Sequence, residues 1–271
     1  MSPTAALALY ATHLRACNAA PRTIRLRLDH AREIAHLAPL HDLTAEHLEL
    51  WMHPTGRHYA AETIKSRRSS ARRFLRWLHQ HGHLPTDPSS LLHPVKVIAP
   101  PPRVAPDGDV LRALTCCTDR DRAAILLARY GCLRLTELTT LRIEHRSGDA
   151  LCVNGKGGRV RIVYMHPELA RALDVLEGGQ SFGWYFPGVG TASHMHPQAM
   201  HKVIKRVTGW HPHALRHAGA SAAYRSTHDL RAVQLFLGHA SLATTQRYLS
   251  LDEDALRAVA GGVAIGAPRA A

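Results

Sequence analysis

Residues 99–106 read APPPRVAP. Each proline fixes φ at about −65°, lacks an amide proton and crowds the turn before it, so neither a helix nor a central strand can run through this stretch. It is a semi-rigid extended spacer. It cuts the 271-residue chain into residues 1–98 and 107–271, with 99–106 as the linker. Each piece is long enough to bury its own core without disulfide staples.

The first piece reads as helices joined by short turns. Ile24, Leu28, Ala31, Ile34 and Ala35 recur at helical spacing, and Thr44 stands as an N-cap with Leu43 and Leu48 as a hydrophobic staple. Over 61–79, Ile64, Ala71, Phe74, Leu75 and Leu78 make one apolar stripe, while Lys65, Arg68, Arg72 and Arg76 share the adjoining face. A merely solvated face mixes signs for i, i+4 pairing. Four cations without interleaved carboxylates fit a phosphate backbone better.

The second piece mixes periods. Residues 109–114, 120–130, 167–176, 197–207, 214–224, 230–237 and 242–250 have helical patterns, and 151–153 and 160–164 read as strands around the turn NGKGG at 154–158. The expected fold is mainly α with one small β-hairpin or sheet. Lys202 and Lys205 add cations on the 197–207 helix.

Lys and Arg number 34 against 21 Asp and Glu, a formal net charge of +13. The basic set holds 29 Arg and 5 Lys, and arginine's planar fork grips phosphate oxygens in pairs. Such a balance favours an anionic partner. At 45% hydrophobic and 20% charged residues the chain is too apolar for a disordered basic tail. No apolar run approaches the roughly 20 residues that span a bilayer, and no signal-peptide pattern opens the chain, so the expected location is cytoplasmic and no membrane partner is implied. The five cysteines are scattered without a C-x-x-C spacing, which reads as reduced, mostly buried thiols. His79, His81 and His83, and His194 with His196, have no matching Cys or acidic ligands nearby in sequence, and no metal is expected there.

Five short segments of the second piece carry polar residues that structure alone does not require: GCLRLTEL from Gly131, GKGGR from Gly155, HALRH from His213, LGHAS from Leu237 and TTQRY ending at Tyr248. Their order and intervals resemble the tyrosine recombinase (phage integrase) family, over the whole chain. The resemblance implies a helical core-binding (SAM-like) domain over 1–98 and a mixed α/β catalytic domain with a C-terminal tail over 107–271. It implies that Tyr248 attacks a DNA phosphate to give a 3′-phosphotyrosine while a 5′-hydroxyl leaves. Arg134 and Arg216 match the arginines that hold the phosphate, His213 and His239 the positions that donate hydrogen bonds or move protons, and Lys156 the general acid. Glu137 matches a supporting carboxylate, and His217 a position behind these residues. His228 and Arg231 repeat the His-x-x-Arg pattern; His213 and Arg216 fit the family's intervals to His239 and Tyr248, and the later copy reads as a helix start, with Ser226, Thr227 and His228 where the family commonly has a glycine.

The chemistry asks for such residues on its own terms. A free phenol has a pKa of about 10, so only about one in a thousand is phenolate at pH 7. The nucleophile therefore needs cations or a base beside it. Two arginines supply fixed donors to the pentacoordinate transition state, and an acid protonates the leaving alkoxide. The phosphotyrosine keeps the energy of the cut bond, so no nucleotide or metal cofactor is required.

By the same resemblance the partners are double-stranded DNA, clamped by the two domains, and three further copies of the chain, forming a tetramer on two sites that exchanges strands through a Holliday junction. Residues 255–259 of the tail are expected to dock on a neighbouring protomer. The chain has no room for a separate arm-binding domain. Within the family, the linker and histidine content incline the reading to a phage or mobile-element integrase, with an Xer-like resolver of chromosome dimers as the alternative. Two rivals are a type IB-like topoisomerase and a non-catalytic DNA-binding regulator of the same fold. The target sequence, and any need for a partner recombinase, an accessory DNA-bending protein or a directionality factor, stay open.

Overall fold

The computed structural model describes residues 2–98, 102–155, 158–190 and 193–238. The chain divides into two compact units at Pro100 and Pro101, inside the proline-rich stretch.

The first unit is helical: α1 (Pro3–Ala16), α2 (Pro21–Ala35), α3 (Ala45–Met52) and α4 (Ala61–Gln80). Proline at the first position starts α1 and α2, where its missing N–H would be unpaired anyway. Thr44 caps α3 by accepting from the His47 amide at 3.3 Å, and Leu43 and Leu48 are both buried in the unit's core. The stripe read for 61–79 is the buried side of α4: Ala71, Phe74, Leu75 and Leu78 are in the core, with Ile64 packed at its margin. Arg67 lies on that side too. Its guanidinium stacks 3.9 Å from the Trp51 ring and donates to Glu33 Oε2 at 2.9 Å and to the Trp51 carbonyl at 3.0 Å. A buried arginine is tolerated here because its charge is paired and its flat face is covered by an aromatic ring.

The second unit holds α5 (Asp107–Cys116), α6 (Asp119–Arg129), α7 (Leu135–Thr139), β1 (Arg146–Ser147), β2 (Ala150–Asn154), β3 (Val160–Tyr164), α8 (Pro167–Glu177), α9 (Pro197–Thr208), α10 (Pro212–Thr227) and α11 (Leu230–Leu237). The sheet is antiparallel in the order β1-β2-β3, with Cys152 opposite Ile162 and Val153 opposite Arg161. It exceeds the expected hairpin by the two-residue strand β1. The other element absent from the sequence reading is α7, whose five residues are too few to show a helical period. α6 is the central helix: residues 123–129 are all buried, and α10 packs across it. At Gly219 a Cβ would overlap the Arg129 carbonyl and come within 2.5 Å of Cys132 Sγ, so this crossing admits only glycine.

The thiols depart from the expectation that most are buried. All five are free, but Cys17 and Cys116 are exposed, Cys117 and Cys152 are half-buried and only Cys132 is buried. Cys17 follows the end of α1, and Cys116 ends α5; both helix ends meet solvent. Burial pushes the Cys132 thiol up to about 11, which keeps it neutral. Among the described residues no helix is long and apolar enough to cross a membrane.

Candidate active site

The junction before α7 gathers the site. Arg134 is the N-cap, and Glu137, the third residue of the helix, reaches back so that its Oε2 accepts from the Arg134 amide at 2.8 Å. The Arg134 side chain follows: Nη1 donates to Glu137 Oε1 at 2.6 Å and Nη2 to the Gly238 carbonyl at 3.1 Å. From α10, Arg216 enters the same neighbourhood fully buried, at 1% exposure. It donates to the carbonyls of Cys132 and Leu237, and its Nη1 lies 3.8 Å from Glu137 Oε2. Arginines far apart in the chain thus meet at one carboxylate. Gly238, at φ +62°, ends α11 in the left-handed conformation, which suits glycine.

Arg161 was not singled out from the sequence, yet it makes the strongest contact in this cluster. Its Nη1 donates to Glu137 Oε1 at 3.0 Å, its Nη2 to Glu137 Oε2 at 2.9 Å, and its Nε to the Phe236 carbonyl at 2.9 Å. The signal was present in β3, VRIVY, whose period-2 pleat puts Arg161 on the side of the buried Val163. A cation on the core side of a strand needs a carboxylate. At Gly155 a Cβ would lie 3.1 Å from the Arg159 carbonyl and 3.5 Å from Glu137 Oε1, so the turn approaches this carboxylate closely.

Burial by itself would raise the Glu137 pKa. The hydrogen bonds from Arg161 and Arg134 overcome it and hold the carboxyl down at about 2. Glu137 is therefore ionised throughout the physiological range. His213 is the second residue of α10 and is exposed at its surface; partial loss of hydration, reinforced by the charges of Arg216, His211 and Arg134, lowers its pKa. A neutral imidazole at pH 7 can donate from one nitrogen and accept at the other. His217, one turn on, sets its ring 5.2 Å from that of His213, nearly perpendicular.

Of the residues expected at the site, Arg134, Glu137, Arg216, His213 and His217 come together on α7 and α10 and their flanks. Lys156, His239, Tyr248, the 242–250 helix and the tail segment 255–259 lie outside the described residues. The second His-x-x-Arg copy sits at a helix junction. His228 ends α10 at φ +50°, taking the left-handed turn that a glycine would otherwise supply, and Asp229 caps α11 by accepting from the Arg231 and Ala232 amides.

On α4, Lys65 and Arg76 are exposed and Arg72 half-exposed, while Arg68 turns its Nη2 inward to the Leu92 carbonyl at 2.8 Å. Lys202 and Lys205 are exposed on α9, opposite the buried Met200, Ile204 and Thr208. The histidines considered for metal have other uses: His79 Nδ1 pairs with the Leu84 carbonyl, His81 Nδ1 with the Trp77 carbonyl, His194 Nδ1 with the Met195 carbonyl, and His196 caps α9. Among the described residues no cluster of His, Cys, Asp or Glu is built to hold a metal ion.

Comparison with known proteins names the family. Residues 107–254 match the model of the phage integrase family. Tyrosine recombinase XerC of Chromobacterium violaceum is 31% identical over 95% of this chain and 93% of its own length. XerC of Xanthomonas campestris pv. campestris is 34% identical over 78% and 68%. The chain belongs to the phage integrase family of tyrosine recombinases, enzymes that cut and rejoin DNA. Solved structures share its fold: a lambda integrase dimer bound to a COC′ core site, with a TM-score of 0.73 and 19% identity over 90% of this chain and 97% of that one, and the XerH recombinase bound to difH, with 0.69 and 18% over 90% and 80%.

Proposed function

We propose that this recombinase is site-specific and works through a 3′-phosphotyrosine formed by Tyr248. The observation that carries the reading is the meeting of Arg134 and Arg216 at Glu137, which supplies fixed cations at one point from two separate segments. In this reading both arginines hold the scissile phosphate, His213 and His239 donate to its oxygens or move its protons, and Lys156 protonates the leaving 5′-oxygen. Glu137 orients the arginines and His217 supports His213. Each phosphate donor is worth about 10²–10³ in rate and the acid about 10²–10⁴.

Duplex DNA is the partner, with Lys65, Arg68, Arg72, Arg76, Lys202 and Lys205 on its phosphates. Four copies assemble on two sites and pass through a Holliday junction, with the tail bridging neighbouring copies. Removal of residues 251–271 is therefore expected to abolish tetramers on DNA. Several structural relatives are described as assemblies on DNA, among them a lambda integrase tetramer on a Holliday junction.

The exchange serves integration and excision of a phage or mobile element. The end-to-end likeness to XerC favours a second reading, resolution of chromosome dimers. The test is to incubate the chain with host and element DNA, denature, and sequence the fragments left covalently attached. Recurrence at one site in an element's attachment region supports integration; a single chromosomal site supports the Xer-like role. Scattered adducts point to topoisomerase-like cleavage, and absence of adducts despite DNA binding points to a non-catalytic regulator or to a missing partner recombinase or accessory factor.

A further inference from the structure

Two residues before Arg134, Cys132 turns through the left-handed region at φ +49°, a conformation that L side chains rarely adopt. Asn18 and His228 share that region, but both are exposed where helices end, whereas Cys132 is 1% exposed. Buried residues hold such backbone only where their surroundings impose it, and they gather at active sites. Here the surroundings grip both ends of the residue. The thiol donates to the Arg129 carbonyl at 3.6 Å and to the Arg216 carbonyl at 3.8 Å, and packs with Ala220, Val233 and Leu237 in the space that Gly219 leaves open. The Cys132 carbonyl accepts from Arg216 Nη1, and the Leu237 carbonyl from Arg216 Nη2 at 2.8 Å.

The two acceptors differ in what aims them. Leu237 is the last residue of α11, and the final carbonyls of a helix point onward without an intrahelical partner. Cys132 belongs to no helix or strand, so its own backbone angles decide where its carbonyl points. Acceptors on two different nitrogens fix the plane of a guanidinium, which one acceptor alone would leave free to swing.

We propose that Cys132 is a positioning residue for Arg216, its left-handed turn aiming the carbonyl that, together with the Leu237 carbonyl, sets the plane of the guanidinium at the scissile phosphate. This inference rests on the phosphate role of Arg216 in the reading above. The thiol anchors the turn by packing and takes no chemical part, being neutral and buried. The residue type matters through its tolerance of positive φ: glycine keeps the turn, and a β-branched side chain opposes it.

The test is single-turnover cleavage of the site recovered by adduct sequencing, with thermal melting as the check of folding. Cys132→Gly, Cys132→Thr and Cys132→Val are each made in wild type and in Arg216→Met. Threonine is close to cysteine in size and keeps a donor, so it changes mainly the backbone preference. Cys132→Thr is expected to slow cleavage by about 10²-fold in wild type, the usual cost of a small misplacement, and by about threefold or less once Arg216 is methionine, because the loss has then already been taken. Cys132→Gly is expected to melt lower through lost packing, yet to cleave at least about tenfold faster than Cys132→Thr. Cys132→Val is read in place of threonine if that chain loses its melting transition.

A merely structural role predicts equal factors in both backgrounds and rates that follow the melting temperature. Equal factors, a glycine variant as slow as threonine, a wild-type rate with threonine, or loss of folding in both β-branched variants overturns the proposal. A wild-type rate in Arg216→Met is the different failure, that of the phosphate role of Arg216 itself; a slow Arg216→Met with equal factors places the failure on Cys132 alone.

Discussion

Glu137 and His213 lie in one cluster, and both are held below their ordinary values. The Glu137 carboxyl is held at about 2 in the folded chain against 4.5 for an unperturbed group. Its ionised form therefore adds stability at and above pH 4.5, and that contribution is lost as pH falls from 4.5 toward 2, on the order of 3 kcal/mol in all. Denaturant titrations at successive pH values are expected to show this loss in wild type, and Glu137→Gln to lack that part of the acid slope. His213 is displaced downward from 6.5 by partial desolvation and by Arg216, His211 and Arg134. Its unfolded form binds a proton more readily, so protonation destabilises the fold as pH drops through 6.5. An NMR titration should place its midpoint below 6.5; a midpoint at or above 6.5 would contradict the neutral imidazole. Arg134, Glu137 and Arg216 were legible through the motifs GCLRLTEL and HALRH, which carry the resemblance to the tyrosine recombinase family. Arg161 and Arg67 were passed over because a buried arginine looks like a surface one until its strand or helix face is known.

At the scale of elements, the crossing of α10 over α6 depends on one glycine. Gly219→Ala is expected to cost about 1–3 kcal/mol or more through overpacking, read as a lower denaturation midpoint with unchanged slope. The α3 cap is smaller in effect: Thr44→Ala should cost about 1 kcal/mol. Most helices were legible in the apolar periodicity, with ends displaced by up to three residues, and α4 and α11 nearly in place. The hairpin was legible because NGKGG separates the short apolar run LCV from the β-branched run VRIVY. Two elements were not: α7 begins at an arginine rather than a usual capping residue, and β1 has only two residues, so neither offers a period to read. At His228 a non-glycine residue takes the left-handed turn where the family commonly has a glycine, its amide donating to the Tyr224 carbonyl.

At the scale of the molecule, with an excess of 13 positive charges, DNA affinity is expected to fall steeply with salt as phosphate contacts release counterions. Each phosphate contact contributes about 0.9 to the slope of log affinity against log salt. Replacing the exposed Lys65 and Arg76 by alanine should lower that slope by about 1.8, whereas Arg67→Met, at a buried position stacked on Trp51, should lower stability and leave the slope unchanged. Fluorescence anisotropy across a salt series separates the two. The expected boundary between two units rests on four prolines in eight residues, since proline stops both a helix and a central strand. The most direct test of the chemistry is to trap the covalent complex, digest both protein and DNA, and locate the nucleotide remnant by mass spectrometry. A remnant joined through a 3′-phosphate to Tyr248, and absent in Tyr248→Phe, is the expected result; a remnant on another residue, or joined through a 5′-phosphate, would contradict the proposed nucleophile and the direction of cleavage together.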